Sequence, residues 1–190
     1  MDEKARLREE VLARRDRETD RRTRSERIVS AVLALEEYRA ARLVSWFVGV
    51  RSEVETLPAI ERELLLGRAV ALPFVEQGTL RLARVESVEE IGPAPFGLLE
   101  PVTWVRGDES RRVSADAVDV FVVPGVAFDR AGGRLGHGKG YYDGLLAGAR
   151  SDALFVAAAF DCQVVDAVPM AAHDVWMHRV VTESGVVDGT

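Results

Sequence analysis

Apolar residues fall along this chain in two rhythms, and the alternation between them predicts the architecture. Residues 2 to 18 are rich in good helix formers, and Leu7, Val11 and Leu12 give a narrow apolar stripe. A second helix is predicted from Ser25, a suitable N-cap, to about Tyr38, with Ile28, Val32 and Leu35 on its core face. Leu43 to Val48 is a continuous apolar run and reads as a buried strand. Thr56 then caps a helix with Pro58 in its first turn, running to about Leu66, where Gly67 stops it. Ala69 to Leu72 is the next strand, closed by Pro73, and Leu80 to Val85 alternates apolar residues with arginine as a half-exposed edge strand would. Residues 86 to 118 read as mostly irregular, with the charged run Arg106 to Arg112 as a solvated loop. The central strand is predicted at Val118 to Val123, a short helix from Lys139 or Gly140 to about Ala149, and the last strands at Ala153 to Phe160 and Val175 to Thr182. Strands alternating with helices imply α/β: a single three-layer α/β/α domain over residues 1–190, built around a mostly parallel sheet, with an N-terminal helical pair.

Composition changes that picture little. The 190 residues are 47% hydrophobic and 29% charged, as in soluble globular proteins. The longest strongly apolar run, Ala153 to Phe160, is far short of the roughly 18 residues needed to span a bilayer, so no membrane association is expected. The densely charged start excludes a secretory signal, and Cys162 is the only cysteine, so a reducing, cytoplasmic location is expected, with Cys162 as a buried structural thiol. Net charge is −6, and residues 2 to 27 mix ten basic with eight acidic side chains, a weak footprint for nucleic acid. Of the 25 basic residues, 23 are arginine, leaving only Lys4 and Lys139 as lysine. In so arginine-biased a chain a retained lysine marks a place that needs a compact point charge on a thin stem. Lys4 and Arg8, four apart, project from one face of the first helix.

Lys139 stands in the chemically richest stretch. The central strand breaks at Pro124-Gly125, and the chain then passes through five glycines between positions 132 and 140 before Tyr141-Tyr142-Asp143. Glycines that dense admit positive φ and leave backbone N–H groups facing a ligand, a concavity that suits phosphate. Two standard phosphate loops fail here: Gly140 stands where a Walker loop needs a hydroxyl, and Gly136, Gly138 and Gly140 are one residue short of the dinucleotide fingerprint. A plain strand-to-helix turn needs only one or two glycines. The loop is therefore read as a third kind of phosphate cradle, with Lys139 adding a mobile charge and Asp143 placed to meet a metal ion.

On these residues the chain resembles the 5-formyltetrahydrofolate cyclo-ligase (methenyltetrahydrofolate synthetase) family along nearly its whole length. The matching elements, in order, are Lys4 with Arg8, Glu53-Val54-Glu55-Thr56, Leu72-Pro73, Gly97 to Pro101, the hallmark Pro124 to Asp143, and Val168-Pro169 with Asp174. The resemblance implies an enzyme that uses ATP and Mg²⁺ to close 5-formyltetrahydrofolate to 5,10-methenyltetrahydrofolate, releasing ADP and phosphate through an N5 iminium phosphate. It implies ATP binding by Lys4, Arg8, Arg134, Leu135, Gly136, His137, Gly138, Lys139, Gly140, Tyr141 and Tyr142, with Lys139, Arg134 and Tyr141 as the catalytic set. Val50, Glu55 and Tyr141 would meet the folate, Glu55 on the pterin donor edge, and Asp143 and Asp174 would hold the metal. His137 occupies a variable place in the hallmark and takes no catalytic duty. His178 stands where many relatives carry an aspartate, and Val50 and Phe74 depart from common patterns. A monomer or weak homodimer acting on a small molecule is expected. A folate- or nucleotide-binding relative without catalysis is the alternative.

Overall fold

The protein is described here from a computed structural model covering residues 2–189. Eight strands form one sheet: β1 (Leu43–Ser45), β2 (Ala69–Glu76), β3 (Thr79–Val85), β4 (Arg112–Val113), β5 (Val120–Val123), β6 (Leu154–Ala158), β7 (Arg179–Thr182) and β8 (Gly185–Asp188). Their spatial order is β8-β7-β6-β5-β1-β2-β3-β4. The five inner strands β7-β6-β5-β1-β2 run parallel, and antiparallel strands close both sides. Chain order along that parallel core reverses between β1 and β5, the point at which open α/β sheets bind their ligands beyond the carboxyl ends of the strands.

Alternation along β5 shows why the sheet carries layers on both faces. Val120 and Val122 join a core with Ile28 and Val32 of α2 (Arg21–Ala34) and Ile60 of α3 (Leu57–Leu65). Phe121 and Val123 face the other way, into a core with Leu145 and Leu146 of α4 (Tyr141–Leu146). The first helix, α1 (Glu3–Asp16), packs elsewhere: Val11, with Leu7 and Leu12, meets Val126, Ala127, Leu135 and Val168. Those partners belong to or flank a small sheet, Ala127–Asp129 paired with Arg134–Leu135 and with Val164–Val165. The helical pair and the mostly parallel sheet thus stand as the sequence pattern implies. Among the described residues, no helix is long and apolar enough to cross a membrane. Cys162 is half-buried, and desolvation together with Glu18 pushes its thiol up to about 12.

Local expectations are corrected in four places. β3 is not an edge, because Arg112–Val113 pairs with it at Leu82 and Ala83. Strand β2 continues through Pro73 to Glu76, since Pro73 pairs with Leu82 in a hairpin whose turn is Gln77-Gly78. Helix α2 begins at Arg21, after Asp20 in the left-handed conformation, and Ser25 lies buried inside it rather than capping it. The segment 86 to 118 contains a hairpin, Ile91–Pro93 against Leu99–Pro101, and a helical turn at Thr103–Gly107.

Candidate active site

A cavity of about 560 Å³ opens over the reversal between β1 and β5. Its walls come from the segment after β1 (Phe47, Val48, Val50, Arg51, Glu53), Pro124 and Gly125 after β5, and the glycine loop. Lys4, Arg8 and Arg15 of α1 and the segment carrying Asp174 close one side. Pro73, Val75, Leu80, Phe96, Leu98 and Leu99 add an apolar lining.

The glycine loop is held from beneath by a buried carboxylate. Asp129 Oδ1 accepts the N–H groups of Ala131 and Gly133 at 3.0 and 2.8 Å, and Oδ2 accepts that of Val168 at 2.7 Å. A Cβ on Gly133 would stand 2.4 Å from Asp129 Oδ2, so this approach requires glycine. Further along, Gly138 takes φ +91° directly over the Arg8 guanidinium, and Gly140, at φ +67°, precedes α4.

The cations along the cavity are engaged by different loops. Lys4 Nζ lies 2.5 Å from Asp174 Oδ2, which also accepts the Ala171 N–H at 2.7 Å. Although burial opposes it, the Lys4 ammonium and that N–H hold the Asp174 carboxyl below its ordinary value. Arg8 Nε donates to the Gly136 carbonyl at 2.7 Å. Arg134 is almost fully buried; one terminal nitrogen donates to Asp143 Oδ1 at 2.7 Å, while its Nε has no hydrogen-bond partner. The Arg134 guanidinium lies 5.7 Å from the centre of the Tyr142 ring. Desolvation, with Glu53 nearby, raises the Tyr142 hydroxyl well above the usual tyrosine range. Arg15 reaches Ser52 Oγ at 3.2 Å and the Gly125 carbonyl at 3.3 Å, and burial lowers its pKa. Lys139 and His137 stand exposed on the rim.

Every residue expected to hold phosphate, from Lys4 and Arg8 to the stretch Arg134–Tyr142, lines this one cavity, as do Val50, Asp143 and Asp174. Glu55 does not: its side chain is exposed and outside the lining. The reason is local. Val54 is locked in the core, the Glu55 N–H is held by Ser25 Oγ, and Thr56 Oγ1 ties the Gly49 N–H to the Phe47 carbonyl. The segment therefore closes on itself with Glu53 turned inward. Glu53 Oε2 accepts the Val50 N–H at 3.1 Å, and Oε1 lies 3.9 Å from His137 Nε2. Arg15, Arg51, Glu53 and Glu100 are charged lining residues that were not among the expected site residues. The i, i+7 spacing from Arg8 to Arg15 places them on one side of α1, a signal that was present in the sequence.

A doubly wound sheet with a glycine-rich, cation-lined cavity at its reversal point defines an α/β enzyme of the ligand-at-the-switch-point kind. The sequence model described as "5-formyltetrahydrofolate cyclo-ligase family" matches residues 1–183, and the chain belongs to that family. It is 32% identical over 155 residues to 5-formyltetrahydrofolate cyclo-ligase of Mycolicibacterium smegmatis, spanning 78% of this chain and 77% of that one. It is 32% identical over 150 residues to the Escherichia coli enzyme of the same name, spanning 77% and 80%. The NMR structure of Aquifex aeolicus 5,10-methenyltetrahydrofolate synthetase is similar with a TM-score of 0.84 at 36% identity, over 97% of this chain and 92% of that one.

Proposed function

We propose that this enzyme closes 5-formyltetrahydrofolate to 5,10-methenyltetrahydrofolate at the expense of ATP, with Mg²⁺ at Asp143 and Asp174. The observation that carries the reading is convergence. Lys4 and Arg8 of α1 and Arg134 and Lys139 of the glycine-loop stretch, two distant parts of the chain, meet two carboxylates around one cavity. The chemistry is phosphoryl transfer, for which positioning and charge neutralisation count for more than an acid or base. The formyl oxygen attacks the γ-phosphorus and ADP departs, leaving an iminium phosphate at N5. N10 then attacks the formyl carbon, loses its proton, and inorganic phosphate leaves as the ring closes.

Each residue has a task in that sequence. The loop N–H groups, Lys4, Arg8 and Lys139 face the triphosphate, and the buried, partly unpartnered Arg134 offers a fixed donor to charge that develops during transfer. Glu53, rather than Glu55, offers a carboxylate to the pterin donor edge. Tyr141, Tyr142 and Val50 wall the ring and exclude water. Among the described residues no group of three or more His, Cys, Asp or Glu side chains gathers to hold a metal ion. Two carboxylates beside a phosphate cradle fit Mg²⁺, which completes its shell with phosphate oxygens and water and would supply charge neutralisation there.

The test is the ultraviolet absorbance of the methenyl product, followed with 5-formyltetrahydrofolate, ATP and Mg²⁺ together and with each omitted. Product only in the complete mixture is expected. Product without ATP overturns the phosphoryl-transfer route, and binding of both substrates without product assigns the chain to storage or sensing.

A further inference from the structure

The cavity lining includes an exposed arginine with a backbone conformation that arginine rarely takes. Arg51 has φ +56°, and across the mouth Phe96 has φ +64°. Each such residue carries a steric cost, and such outliers gather at ligand clamps. All four non-glycine residues with positive φ among the described residues stand in turns: Gln77 between β2 and β3, Asp20 between α1 and α2, Arg51 where the Glu53 N–H reaches the Val50 carbonyl at 3.0 Å, and Phe96 in the turn Pro95–Gly97. What sets Arg51 and Phe96 apart is that they are joined: Arg51 Nη2 donates to the Phe96 carbonyl at 2.8 Å. The Phe96 side chain is 87% exposed, with Leu98 beside it. Among the described residues Arg51, like Arg8, Arg15 and Lys139 of the same lining, makes no ion pair, whereas Lys4 and Arg134 each have a carboxylate partner. Its charge is left open toward the cavity mouth.

On the reading proposed above, the formyl group of the folate points to the cradle, so its p-aminobenzoyl-glutamate arm must leave in the other direction. The same cavity is lined by the apolar Pro73, Val75, Leu80, Leu98 and Leu99, which suit the aromatic arm, and by the exposed Arg51 and Phe96, where the charged end of the arm can meet solvent. We infer that Arg51 is a specificity-determining residue that receives the glutamate carboxylates of the folate, exchanging the Phe96 carbonyl for them. The guanidinium is a planar fork that matches a carboxylate, and a mouth open to solvent leaves room for further γ-linked glutamates. The hydrogen bond to Phe96 keeps the arm in place until the tail arrives.

The experiment compares wild type, Arg51→Gln and Arg51→Lys with three substrates: 5-formyltetrahydropteroate, which has no glutamate, 5-formyltetrahydrofolate, and its triglutamate. Arg51→Gln is expected to raise KM about two- to five-fold for the monoglutamate, as an exposed ion pair would, and more for the triglutamate. It should leave the pteroate unchanged, and Arg51→Lys should recover part of the loss. The difference between variant and wild type should shrink with added salt. Equal changes for all three substrates would make Arg51 a structural latch only, and no change would remove it from recognition; either result overturns the inference. If wild type turns over none of the three, the proposed reaction fails by itself. Binding of the same ligands by tryptophan fluorescence then reads the Arg51 contrast without catalysis.

Discussion

Lys4 and Asp174 are separated by 170 positions in the chain, yet their side chains meet at 2.5 Å on the wall of the cavity. The pair joins the first turns of α1 to the segment that precedes β7. Its partners Arg8–Gly136 and Arg15–Ser52 fasten the same helix to the glycine loop and to the segment after β1. One helix therefore sets the distance between all three cavity-lining segments.

The pH response of that fastening follows from the depressed Asp174 carboxyl. A carboxyl held below its unfolded value, about 3.9 for Asp, contributes stability that is fully present above that value. The contribution is lost as pH falls through the lower folded value. The protection factors of the α1 amides, taken relative to the intrinsic exchange rate at each pH, should be unchanged from pH 8 to 5 and fall below about pH 4. Asp174→Asn should show the lower protection already at neutral pH.

Glu53 and Glu55 stand two residues apart and have opposite surroundings. Glu53→Gln should raise KM for the folate about ten-fold or more, the scale of a lost hydrogen bond to a charged group, about 1.5–3 kcal/mol. Glu55→Gln should leave it within experimental error. Initial rates at saturating ATP decide the matter, and the reverse result would return the pterin contact to Glu55.

Arg134 is buried with one donor on Asp143 and its Nε unpartnered. Arg134→Lys keeps the charge but loses the fork, and is expected to lower kcat about 100-fold, as removal of a fixed donor to developing charge does. KM for the folate should move much less. A loss confined to KM for ATP would assign Arg134 to ground-state binding instead.

Gly133→Ala tests the support under the loop. Its new Cβ would stand 2.4 Å from Asp129 Oδ2, so the carboxylate must move and loosen three backbone hydrogen bonds. Overpacking of this kind costs about 1–3 kcal/mol. For a chain of this size each kcal/mol lowers Tm by roughly 2–4 °C, which calorimetry resolves.

The sequence revealed most where burial or glycine left a strong mark. The parallel strands are apolar runs, and the glycine loop with Lys139 could be placed at a strand end from composition alone. What stayed hidden was decided by contacts distant in sequence. Ser25 looks like an N-cap, yet its hydroxyl is committed to the Glu55 N–H, thirty positions on. That bond, with Val54 in the core, chose which glutamate faces inward, and the glutamates themselves carry no trace of it. The two- and three-residue strands at 112–113, 127–129, 134–135 and 164–165 are too short to show a period. Pro73 suggested a strand end, although a hairpin partner carries β2 past it.

The clasp between residues 4 and 174 also sets a timetable for synthesis. The helix carrying Lys4 cannot reach Asp174 until the 170 positions that separate them have been made, so this wall of the cavity is completed after most of the sheet that supports it. A nascent chain stalled before residue 174 would hold Lys4 without its carboxylate. It would present a half-built cradle, a long-range closure that chain topology makes slow.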